Sequence, residues 1–149
     1  MKKLEIGAIY KHCLRICSNS KIVYSFICDG SNYGIDGLFK SSVGLPELGT
    51  CVGFCVNTLN NILIDVNSSY FEFMDWDDSD IPIGLDEYWQ RQVIKKYPDI
   101  NSTLYNTFRK RIDPLDYLCS SYLSNYPIKK SQVEKIKNQV KSDIESLLN

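Results

Sequence analysis

The chain has 149 residues, 44% of them hydrophobic and 23% charged, with a formal net charge of −1. That balance excludes general disorder, and a chain of this length buries roughly 70% of its unfolded surface as one domain. No segment approaches the roughly 18 continuous apolar residues needed to cross a bilayer. Glu5, Gly7, Lys11 and His12 also break any signal-peptide run in MKKLEIGAIY, so a soluble, cytoplasmic protein is expected.

Taken in order, Leu4, Ile6, Ala8, Tyr10, His12, Leu14 and Ile16 alternate with polar residues and predict a long first strand. A turn at Cys17-Ser18-Asn19-Ser20 leads to a second strand over Lys21–Cys28. Asp29-Gly30-Ser31-Asn32 turns the chain into a third over Tyr33–Ser41, where Gly34 and Gly37 suggest a bulge. Cys51–Asn57 and Ile62–Val66 complete five strands, which together predict a meander or a small, partly closed barrel.

The next stretch, Tyr70 to Glu87, is acidic. Residues 70–88 hold seven Asp and Glu and no Lys or Arg, a net charge of −7 between segments of +1 and +5. Tyr70, Phe71, Phe73, Met74 and Trp76 are threaded through its first half. Acidic side chains beside aromatics suit a surface that captures a cationic partner, because charge steers the encounter and Trp supplies an anchor.

Beyond Pro82 and Gly84 the period becomes helical. Leu85, Tyr88, Trp89, Val93 and Tyr97 predict one helix, stopped by Pro98, and Leu104, Tyr105, Phe108 and Ile112 a second from Asn101. Asp113-Pro114-Leu115-Asp116 is a strong start signal for a third, because Asp caps free N–H groups and Pro fits the first turn. Ser131 and Glu134 match a capping box for the last helix, whose Val133, Ile136, Val140, Ile144 and Leu147 form one stripe.

Other chemistry finds little support. The spacing Cys-x3-Cys occurs at 13/17 and 51/55, but four residues along a strand span about 13 Å, too far for a shared metal or a disulfide. Reduced, buried thiols are therefore expected at all six cysteines, Cys28 and Cys119 included. His12 and Cys13 would lie on opposite strand faces and could not act as base and nucleophile. Read as a calcium loop from Asp75, the acidic run has Asp80 where Gly is required and Asp86 where Glu is usual. No phosphate-binding loop is present.

The expected fold is α+β: a five-stranded antiparallel sheet or small barrel over residues 1–69, an acidic connector at 70–84, and about four covering helices at 85–149, in one domain. The expected function is non-enzymatic binding of a basic protein, as when a bacterial immunity protein neutralises a toxin nuclease. Contact would be made through Glu72, Asp75, Trp76, Asp77, Asp78 and Asp80, with no cofactor or metal and no membrane or nucleic acid. The alternatives are a nucleic-acid module using the barrel with Arg109, Lys110, Arg111, Lys129 and Lys130, and third a metal-dependent enzyme using the carboxylates.

Overall fold

His12 and Ile16, four residues apart, are 4% and 0% exposed, while Leu14 between them is 50% exposed. Only a helix buries that spacing. The computed structural model describes residues 3–60 and 69–148, and its first element is the helix α1, Lys3–Asn19, not a strand. The alternating pattern that suggested a strand also contains an i, i+4 pair, and the body selects that pair.

The same correction applies to Cys51–Asn57. This stretch is the helix α2, Cys51–Leu59, with Val52 and Val56 buried four apart. Thr50 accepts a hydrogen bond from the Gly53 amide at 3.1 Å and so caps it.

Among the described residues, strands are short and paired two by two. β1, Val23–Tyr24, runs parallel to β4, Leu48–Gly49, and β2, Asn32–Tyr33, runs antiparallel to β3, Phe39–Lys40. There is no five-stranded sheet and no barrel among them. The fifth expected strand, at 62–66, lies outside the described residues.

Chain 25–28 nonetheless bonds to other segments through its backbone. Ser25 N–H reaches the Gly49 carbonyl at 3.2 Å, and Cys28 N–H the Phe108 carbonyl at 3.1 Å. Its partners are β4 and the chain around Phe108, both distant in sequence, rather than a neighbouring hairpin strand, and no sequence period announces them.

The helices of the second half match their signals more closely. α3 is Ile83–Lys96, and α4 is Ser102–Thr107 with Asn101 accepting from Leu104 N–H at 3.0 Å. α4 stops short of Phe108, which is its C-cap, and of Ile112, which lies on the segment that follows. α5, Pro114–Ser120, has the full capping box: Asp113 takes the Asp116 amide at 2.7 Å and Asp116 takes the Asp113 amide at 3.1 Å.

α6, Lys130–Leu148, starts one residue before the expected cap. Gln132, not Glu134, therefore takes the Lys129 N–H, at 2.9 Å.

Two apolar clusters hold these elements. One gathers Val52, Val56, Tyr70, Phe71, Trp76, Ile112, Cys119, Ile128, Val133 and Val140, and the other Ile27, Leu45, Leu48, Val93 and Tyr105. The acidic stretch is thus part of the first core, not a connector between two layers. Each large side chain so buried contributes about 1.5–3 kcal/mol.

Candidate functional site

The acidic loop is fastened from both ends. Glu72 N–H donates to the Ile128 carbonyl at 2.9 Å, and the short 3-10 turn Phe73–Asp75 follows. The turn's three-residue spacing carries Phe73 and Trp76 inward, 8% and 2% exposed, and throws Met74 outward, 64% exposed. Beyond it, Arg111 N–H donates to the Asp77 carbonyl at 3.0 Å, and Ile81 is buried.

Trp76 is therefore not an exposed anchor. Its indole packs edge-on to Phe71, with ring centroids 4.9 Å apart, and its carbonyl accepts from Lys110 Nζ at 3.1 Å. Met74 occupies the outward position that sequence reasoning gave to Trp76. The detectable signal was the interval of three between Phe73 and Trp76, which breaks the alternation of Phe71 and Phe73.

The carboxylates divide into two groups. Asp78 Oδ2 lies 2.6 Å from Arg109 Nη2, and Asp77 Oδ2 lies 4.0 Å from Lys130 Nζ. The Ser79 hydroxyl and amide both donate to Asp77 Oδ1, at 2.5 and 3.1 Å. With Lys130 nearby, these bonds hold the Asp77 carboxyl below its ordinary range. Glu72, Asp75 and Asp80 have no ion pair among the described residues; Asp75 and Asp80 are exposed and Glu72 half-buried. Part of the acidic surface is thus balanced internally and part is not.

The cations proposed for nucleic acid are not gathered on one open face. Lys110 is 5% exposed, and Arg109 also lies 3.5 Å from the buried Asp86. Arg111 and Lys130 line a cleft, and only Lys129 is fully at the surface. The barrel face that the same reading required is absent from the described residues.

Among the described residues no three His, Cys, Asp or Glu side chains are grouped so as to hold a metal ion. His12 is buried on α1; burial first, and Arg15 second, lower its pKa. Cys13 is the next residue on the same helix, directed away from it.

All six cysteines are free. On helices, the 13/17 and 51/55 pairs lie on one face about 5–6 Å apart, so the strand-based separation does not apply. Only Cys28 and Cys119 are buried, whereas Cys17, Cys51 and Cys55 are exposed, contrary to the expectation of buried thiols. Burial raises the pKa of the Cys28 and Cys119 thiols, which suits a packing role.

No helix among the described residues is long and apolar enough to cross a membrane. No protein-family profile, curated protein or solved structure matches the chain.

Proposed function

We propose that this is a non-enzymatic binding protein that presents the loop of residues 72–80 to a cationic protein partner. The observation that carries this reading is the arrangement at the loop's outer edge. Glu72, Asp75 and Asp80 have no ion pair among the described residues and accompany Met74, which is 64% exposed, on a backbone pinned to Ile128 and Arg111. A loop ordered before binding loses little conformational entropy on association, and unpaired carboxylates steer a basic partner.

In this account Met74 makes the apolar contact, Trp76 braces the loop from below, and Asp77 and Asp78 shape its far end. Neutralisation of a toxin by occupation of its basic groove is the biological form we favour, in a reducing cytoplasm that suits six free cysteines.

The test is capture of the native partner from the source cells. The triple variant E72Q/D75N/D80N should lose the partner, and wild-type capture should weaken as salt rises. Undiminished capture by the folded triple variant would overturn the reading.

A further inference from the structure

Two clefts meet at Arg111 and Asp113, and of the loop carboxylates just described only Asp80 lines either of them. The first, about 160 Å³, is faced by Tyr24, Phe26, Val52 and Leu85. The second, about 400 Å³, is charged. Small-molecule sites commonly occupy about 300–1,000 Å³ and combine an apolar wall with a few placed polar groups.

Within the charged cleft the partners can be assigned. Lys137 Nζ lies 2.7 Å from Asp116, 3.5 Å from Glu134 and 3.6 Å from Asp113, so it answers three of the carboxylates. Lys130 faces Asp77. That leaves one cation, Arg111, and one anion, Asp80, on the same cleft, neither with an ion pair among the described residues.

The backbone at Arg111 is also held in place. The Lys110 amide before it bonds to the Phe26 carbonyl at 2.7 Å, its own amide bonds to the Asp77 carbonyl at 3.0 Å, and Ile112 after it is buried. A guanidinium on a fixed backbone, with no ion pair among the described residues and at the junction with an apolar cleft, is matched by a carboxylate carried on an apolar group. A bare anion would fit poorly, because the charged cleft holds four carboxylates, Asp80, Asp113, Asp116 and Glu134, against three cations. A ligand that also carries an ammonium removes that conflict.

We propose that the double cleft binds a free α-amino acid with an aromatic or branched apolar side chain. Its carboxylate pairs with Arg111, its ammonium with Asp80, and its side chain enters the cleft of Tyr24, Phe26, Val52 and Leu85. The proposal does not rest on partner binding by the loop. Asp80 is common to both, whereas Asp75 is not a lining residue of either cleft, so Asp75→Asn separates them.

The test is titration of the full chain with L-phenylalanine, N-acetyl-L-phenylalanine and phenethylamine, followed by calorimetry and NMR. L-phenylalanine should bind at least tenfold more tightly than either analogue, each of which lacks one charge. Arg111→Gln and Asp80→Asn should each weaken it at least tenfold with circular dichroism unchanged, and Asp75→Asn should leave it unaltered. Binding of N-acetyl-L-phenylalanine as tight as that of L-phenylalanine would assign the cleft to a peptide C-terminus and overturn the proposal. So would L-phenylalanine affinity indifferent to Arg111→Gln, or no binding of any probe by the wild type.

Discussion

The ammonium of Lys110 donates to the carbonyl of Trp76 at 3.1 Å, with both residues almost wholly buried. The sequence suggests a nucleic-acid contact for the lysine and a partner-binding anchor for the tryptophan; in the fold each positions the other. The bond joins the acidic loop to the segment carrying Arg109, Lys110 and Arg111, and so places the candidate site. Trp76→Ala should destabilise the fold by about 3–5 kcal/mol through the cavity it leaves. Lys110→Met should cost about 1–3 kcal/mol by orphaning a buried carbonyl. Urea unfolding of the two variants checks both values.

Lys137 draws α6 onto the start of α5. Burial alone would lower its pKa, but the hydrogen bond from its ammonium to Asp116, with the charges of Asp116, Asp113 and Glu134, outweighs this and raises it. A raised pKa means that the contribution is complete below the ordinary lysine value near 10.4 and is lost only as pH climbs through the folded value. Lys137→Met should therefore destabilise by about 2 kcal/mol, by the same amount at pH 6 and pH 9, since Asp116 is buried and loses a charged donor. Denaturation midpoints at the two pH values provide the measurement.

Much of the second half was legible because its signals are local. Asn101 and Asp113-Pro114 cap helices where the residues themselves say so, and Val133 and Val140 are buried on the face their spacing picks out. The expectation for the first half fails because Leu4 to Ile16 satisfies two periods at once, and the contacts that anchor α1, such as Arg15 with the Ile35 carbonyl, are made 20 residues further along the chain. Thr50 was a usable cap signal for α2 that the apparent strand period of Cys51–Asn57 obscured. For the site, sequence identified a run of carboxylates but not which ones are paired, because Asp78 and Arg109 are 31 residues apart.

His12 should make α1 sensitive to acid. Burial and Arg15 lower its pKa, while the Ile35 backbone and Asp36 act the other way. A depressed pKa gives stability that is present above the ordinary histidine value near 6.5 and is lost as pH falls through the folded value. Hydrogen exchange of α1 amides should accelerate more between pH 7 and pH 5 in the wild type than in His12→Leu, after correction for intrinsic rates. Equal acceleration would rule out His12 as the cause.

Gly37 fixes the other contact of α1. Its φ is +78°, and a Cβ there would lie 2.6 Å from the backbone carbon of Arg15. Both the left-handed conformation and the close approach exclude a side chain. Gly37→Ala should cost about 2 kcal/mol or more, whereas Gly7→Ala on open helix surface should be neutral or stabilise by up to about 1 kcal/mol. Thermal melts of the two variants supply the comparison.

Zero-length carbodiimide coupling of the captured complex, with the linked peptides mapped by mass spectrometry, reads the proposed contact directly. Glu72, Asp75 and Asp80 should join lysines of the partner, while Asp143 on α6 should not. Links confined to α6, with the loop carboxylates unreacted, would contradict the assignment of residues 72–80 as the binding surface.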